Sequence, residues 1–460
     1  MQNFKLQGSI EHSLDSELVK NLKANDEKKR AEMWEVFQSK IPHNADAITR
    51  ELKSLYEIYD DGLIKWMANL YDPDICICNE VYGKQTCEHH PLCGTAAFHY
   101  THSARDNVGF APVIEGTLSV YNLIEGSGVT GGKPAVEFLH EVVGDKIKRF
   151  ALNLQDPDGY FYHPQWGKNI GIGRRARDYD RAIWMLNRYD TKPRYATISD
   201  TGSSKSDGSA TLIPDHLKTP DAFREYLESL DIDHRSYSGG SVIAAQFSQI
   251  AARGKEYTDL LGEFLDAHQR EDNGIWNEEV NYAGINGLMK ISGPYCHMHR
   301  PMPNPEKAVR AAISAIISPE SADTVVTVWN PWVALERVLY NIQTYHEPKT
   351  ADKIRREFLE MAPEAIRITK EKTLNFKHKD GSFSYLRGRS THTMQGSPCA
   401  MPNVDEGDMD AAILGTNSMI RAITDVLGVS EYKVPLFGSY EGAIFLDILK
   451  NRKPVRKYKD

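Results

Sequence analysis

No run of about 18 consecutive apolar residues occurs anywhere in this chain, so no membrane-spanning helix is expected. Basic residues are not in excess either. The chain has 55 Lys and Arg against 63 Asp and Glu, a formal charge of −8. Nucleic-acid binding normally needs a basic stripe, so no nucleic-acid partner is expected, and no nucleotide cofactor. A mildly acidic surface keeps a protein soluble. Residues 1–25 are polar and charged, without the apolar stretch of a leader peptide, so the expected location is the cytoplasm. Cysteine is scarce at six residues, yet four of them fall between Cys76 and Cys93. In a reducing compartment such a cluster reads as metal-binding or reactive, not as a disulfide framework. Strand-like alternation is nearly missing; its best case is the β-branched run at 323–328. No tract is of low complexity.

What the chain has instead is helical period. Leu18, Leu22, Met33 and Phe37 recur at three-to-four spacing, as do Leu52, Leu55, Ile58, Leu63 and Met67. The pattern breaks over 71–112, which is rich in Cys, His, Asn, Gly and Pro and reads as a long functional loop. It resumes at 114–127, 134–155, 178–189, 220–230, 242–252 and 257–269. It returns at 306–317, 331–345, 351–360, 365–373, 410–426 and 440–450. The organisation expected is N-terminal helices over 1–70, a Cys/His loop over 71–112, further helices over 113–450, and a frayed basic tail over 451–460. With 41% hydrophobic residues the chain can bury a large core. The fold class is all-α.

A degenerate cassette recurs. Gln155, Gly159 and Phe161 follow one amphipathic helix; Gln269, Gly274 and Trp276 follow another; Lys377, Gly381 and Phe383 follow a third. Asp-Gly or Asn-Gly supplies the positive-φ turn that ends a helix. The aromatic then plugs the turn, and the Gln can bond the exposed helix end. Repeats of this kind mark stacked helix hairpins. The cassette resembles the glutamine-then-tryptophan motif of the terpenoid cyclase and protein prenyltransferase toroids. It is also similar to turn motifs of toroid polysaccharide lyases and glycosidases. The resemblance implies an α/α toroid with loops gathered at one face. It does not name a reaction. The Asp-x-Asp-Asp acid of squalene-type cyclases and the Asp-Asp-x-x-Asp run of class I terpene synthases are both missing. Cys296 and Cys399 do not sit in the zinc motifs of the prenyltransferases.

Five constellations could carry chemistry. Cys76, Cys78, Cys87, His89, His90 and Cys93 are thiolates and imidazoles suited to Zn2+, structural or catalytic, or are simply reduced thiols on a loop. Some α/α-barrel arabinofuranosidases hold zinc with cysteines and a glutamate, and Glu80 stands beside these thiols. His102, Arg105 and Asp106, followed by Glu115, could recognise a substrate carboxylate or form a surface ion pair. Arg174 and Arg177 follow a Gly-rich loop and precede the helix expected at 178, an arrangement suited to anions. Tyr282, Asn286, His297 and His299 supply groups that β-elimination from a uronic acid needs: a carboxylate neutraliser, a base and an acid. Glu406 and Asp408 could pair as a glycosidase acid and base, or Asp408 could cap a helix. Trp276 could stack on a sugar or pack as a plug.

The expectation is an enzyme of acidic oligosaccharides, by elimination sooner than by hydrolysis. Tyr282 and a histidine would do the acid–base work, with Arg105 and Arg177 as carboxylate clamps. An isoprenoid cyclase or dehydratase-isomerase, or a non-catalytic toroid scaffold with structural zinc, are the alternatives. A cavity lined by Arg and His would favour sugars; aromatics with one Asp would favour isoprenoids. The oligomeric state is not readable from the sequence.

Overall fold

The computed structural model describes residues 5–75, 92–107, 109–200 and 211–457. It is 61% helical and 4% strand, an all-α protein. In chain order the helices are α1 (Ser16–Lys40), α2 (Ala45–Tyr56), α3 (Asp61–Ala68), α4 (His102–Asp106), α5 (Ile114–Gly126), α6 (Ala135–Val143) and α7 (Lys146–Asn153). Then come α8 (Ile172–Arg188), α9 (Pro220–Ser229), α10 (Ile232–Ala252), α11 (Lys255–His268), α12 (Tyr282–Met298), α13 (Pro305–Ile317), α14 (Val325–Tyr345) and α15 (Pro348–Thr373). After α16 (Met409–Ile413) a π-helical turn, Leu414–Ser418, leads without a break into α17 (Met419–Val426), and α18 (Ser439–Asn451) follows.

The packing order carries the architecture. Helix α5 packs on α8, α8 on α10, α10 on α12, α12 on α14 and α14 on α17, while α16 packs on α5. Contacts advance in the same sense along both members of successive pairs, so these helices run parallel. Glu115 meets Arg177 and Glu125 meets Arg188. Gly173 faces Val242 and Asp180 bonds Ser248. Gly287 faces Ser236 and Gly240 faces Ile291. Asn286 bonds Asn330 and Met289 bonds Arg337. Trp329 lies on Gly415 and Glu336 bonds Arg421. Among the other helices, α7 packs on α8, α11 on α10, α13 and α15 on α14, and α18 on α3 and α1.

Small residues set the spacing. A Cβ on Gly240 would stand 2.9 Å from the Ile291 side chain, and one on Gly415 would overlap the Trp329 ring. Glycine at these points lets backbones approach where any side chain would hold them apart.

The three cassettes follow α7, α11 and α15 and open the segments that lead to α8, α12 and α16. Gly159, Gly274 and Gly381 all adopt the positive φ expected of them, at 91°, 74° and 84°. Phe161, Trp276 and Phe383 are fully buried plugs. The glutamines do something other than cap their own helix. Gln155 clamps both the N–H and the carbonyl of Tyr195. Gln269 bonds the Gly274 carbonyl and accepts the Asn304 N–H at the head of α13.

Several expectations are corrected. The run at 323–328 belongs mostly to α14 and is no strand, because Val325 onward is buried on an interior helix where β-branched residues pack well. The segment expected as one helix at 134–155 is two, broken at Gly144 with φ 54°. The pair expected at 351–360 and 365–373 is the single helix α15, which absorbs Pro363. Helix α8 begins at Ile172, so Arg174 and Arg177 are inside it and not ahead of it. The basic tail is not frayed as far as it is described: Arg456–Lys457 pairs antiparallel with Lys5–Leu6, and Val455 is fully buried. The 71–112 region is not all loop, since Tyr71–Asp72 pairs with Ala97–Phe98 and α4 follows.

Candidate functional site

Five of the parallel elements line a cavity of about 510 Å³. On each element the lining spans about two turns: Arg177 to Trp184, Ser241 to Ser248, Met289 to His297, Asn330 to Arg337, and Leu414 to Arg421. Seven positions are two helical turns, about 10 Å along an axis. The later member is the exposed one in Trp184 (48%), His297 and Arg421. Because the helices are parallel, the mouth lies toward their C-terminal ends. Arg177, Lys290 and the buried Asn330 form the floor.

Basic side chains prevail among the charged residues of the lining. Arg177, Arg181, Lys290, Arg337 and Arg421 face it, with Asp180 the one acid among the described lining residues. Beneath the floor, the fully buried Glu115 gathers three guanidinium groups. Arg174 lies 2.7 Å away, Arg177 makes a two-nitrogen pair, and Arg181 lies 3.5 Å away. Burial pushes the Glu115 carboxyl upward, but Arg177, Arg174 and Arg181 together hold it well below the usual carboxylate range. Arg174 is completely buried and also bonds Asp178 at 2.7 Å and Gln395 at 2.6 Å. Burial raises Asp178 and Asp180 to about 6. Arg181 continues the series by lying 4.5 Å over the Trp184 ring at the mouth.

Lys290 differs from these arginines. It projects from the apolar surroundings of Leu288, Met289 and Ile291 into the cavity and forms no ion pair with any described residue. Its nitrogen lies 5.9 Å from the Tyr237 ring centre. Burial, reinforced by the charges of Arg177 and Arg337, lowers its ammonium to about 7. Asp410, in the first turn of α16, acts on Lys290 in the opposite sense. Burial and the Glu115 charge raise the Asp410 carboxyl.

The residues singled out from sequence divide sharply. Arg177 and His297 line the cavity, Arg174 braces Glu115 beneath it, and Asn286 bonds the floor residue Asn330 at 3.0 Å. The pairing of Tyr282 with His297 is corrected. They sit at opposite ends of α12, 15 positions apart, or about 22 Å. Tyr282 instead accepts Lys372 at 2.6 Å and donates to the Glu320 carbonyl in a separate surface groove. His299 closes α12 in the left-handed conformation and bonds Tyr345. Glu406 accepts the Ser103 N–H, and Asp408 caps α16 while accepting the N–H groups of Tyr385 and Thr391. Both carboxylates are occupied by backbone and neither lines the cavity. The expected clamp Arg105 is likewise occupied, at 2% exposure, by Asp106, Ser9 and the Asn69 carbonyl. His102 bonds the Trp66 carbonyl, and burial with nearby Arg105 lowers it to about 4. Trp276 is a buried plug bonded to the Leu265 carbonyl, with no face for a sugar.

Cys76, Cys78, Cys87, His89 and His90 lie outside the described residues. Cys93 is half-buried. Among the described residues no group of three or more His, Cys, Asp or Glu is arranged to hold a metal ion.

Lys290 and Arg337 carried no motif, and α12 was not recognised as a helix. The available signals were a lone lysine among apolar residues at 285–291 and the i, i+4, i+7 series Arg177, Arg181, Trp184. No family model, curated protein or solved structure matches the chain.

Proposed function

We propose that this chain is a cytoplasmic α/α-toroid enzyme acting on acidic oligosaccharides by β-elimination. The toroid reading is supported by the order of packing, in which each inner helix meets the next in parallel and α16 returns to α5. The observation that carries the function is the placing of Lys290, without an ion pair among the described residues and lowered to about 7, beside the cavity-facing guanidinium groups of Arg177 and Arg337.

In this reading a uronate carboxylate enters the cavity and is neutralised by Arg177 and Arg337, which acidifies the proton on its α carbon. Lys290, unprotonated, takes that C5 proton. The electron pair forms the C4–C5 double bond as the C4–O bond breaks, and the proton that Lys290 has taken passes to the departing oxygen. Lysine suits the base role because a cation-rich, desolvated setting keeps its amine neutral, as carboxylate pairing would not.

The lining weighs against the isoprenoid alternative. A hydrocarbon cation would need aromatic walls, whereas Trp184 and Phe247 are the aromatic residues among the described lining, toward the mouth. A hydrolase using Glu406 and Asp408 is disfavoured by their backbone partners. The Cys76–Cys93 cluster is proposed as a separate zinc staple for its own segment.

The test is incubation with oligouronides while ultraviolet absorbance follows the unsaturated product. Activity in the wild type that is lost in Lys290→Met supports the reading. Undiminished activity in Lys290→Met removes the lysine from the mechanism, and no activity on any uronide rejects the reaction class.

A further inference from the structure

Resting on the uronate reading, we infer that the cavity is an end-on pocket: it takes the last one or two acidic sugars of a chain, with the terminal anionic group at the Arg177–Lys290 floor and the next ring against Trp184 at the mouth.

Three observations carry this. The first is depth. Every lining element contributes a span of seven or eight positions, about 10–12 Å from floor to mouth. An extended hexose pair spans a distance of that order. The second is closure. Beneath Arg177 the next groups are Glu115 and Arg174, both fully buried and locked to one another, so the floor offers no way through for a polymer. A cavity of 510 Å³ encloses a compact ligand. The third is the distribution of chemistry along the axis. Arg177, Lys290 and the reach of Arg337 toward the Met289 carbonyl put charge low in the cavity. The broad exposed ring, Trp184, stands at the rim with Arg181 against one face, and the rim charge of Arg421 is paired with Glu336 at 2.7 Å. Sugars commonly stack on such a ring through their C–H faces, and a charged end needs desolvated cations below it.

End-on entry has a consequence for the reaction. Elimination at the floor sugar breaks the C4–O bond that joins it to the next ring, so the end that enters is the reducing end, and internal bonds of a long chain stay out of reach until they become terminal.

The experiment is calorimetric titration of wild type and Trp184→Ala with mono-, di-, tetra- and hexauronate, together with product sizing from the hexauronate. Trp184 is exposed, so its replacement leaves the core intact. Affinity is expected to rise from mono- to diuronate and then to stay level. Trp184→Ala should weaken diuronate about five- to tenfold and leave monouronate unchanged. The short product released first should be one unsaturated sugar. Affinity that climbs with every added sugar, with products of intermediate length, overturns the end-on pocket and leaves the elimination reading standing. A plateau at diuronate with no unsaturated product overturns the elimination reading and leaves the pocket standing. Failure of every uronate to bind overturns both.

Discussion

Arg337 donates a 2.7 Å hydrogen bond to the carbonyl of Met289, which fixes a guanidinium group one residue away from Lys290. The bond crosses between two parallel helices and spends one nitrogen of the fork on backbone. It holds positive charge beside an amine already deprived of water. If Lys290 is the base, kcat/KM should rise with pH through about 7 as the free enzyme loses that proton. In Arg337→Met the amine loses a repelling neighbour, so this limb should move to higher pH, with KM for uronides also rising. A pH–rate profile of both proteins checks it, and an unmoved limb would exclude the coupling.

Glu115 is the shared counter-charge of Arg174, Arg177 and Arg181. Glu115→Gln leaves buried guanidinium groups uncompensated, a loss of about 3–5 kcal/mol. Urea unfolding should register it as a lower midpoint at unchanged slope. A difference below about 1 kcal/mol would mean that Asp178 and water suffice to hold the cluster.

Gly415 lies in the π-helical turn directly against Trp329. Gly415→Ala has no room for its methyl group, because the indole is fully buried and bonded to Thr373. Overpacking of this kind costs about 1–3 kcal/mol, and thermal unfolding should show a lower Tm. An unchanged or raised Tm would show that the turn relaxes freely.

Burial raises Asp178 and Asp180 to about 6, and burial with the charge of Asp410 raises Asp408 to about 7. A carboxyl raised on folding contributes stability that is complete below its unfolded value, about 3.9, and is lost as pH rises through the folded value. Asp408→Asn removes that titration, so its stability relative to wild type should improve between about pH 4 and pH 7. Denaturant midpoints of both proteins across that range measure it. A constant difference would show that Asp408 stays ionised.

Metal analysis of the purified protein tests the zinc proposal. About one zinc per chain, lost in a Cys76→Ser, Cys87→Ser double variant, is the expected result for a four-ligand site. Zinc-free wild type would leave the cluster as reduced thiols.

The amino-acid order by itself specified the helical class, the cassettes and their positive-φ glycines. Each rests on local physics: period for Leu52 and Leu55, and backbone freedom for Gly159, Gly274 and Gly381. It also marked Arg177 and His297 as site candidates. It could not decide which polar groups face one another. Tyr282 and His297 look close in the chain, yet a rigid helix holds them about 22 Å apart. Glu406 and Asp408 look like a catalytic pair, yet unpaired N–H groups nearby claim both oxygen sets. Lys290 looks like one lysine among many, yet tertiary packing strips its water and surrounds it with Arg177, Arg181 and Arg337. Only the assembled helices decided these surroundings, because desolvation and charge proximity depend on neighbours remote in the chain, such as Arg177 and Arg181, more than a hundred positions before Lys290.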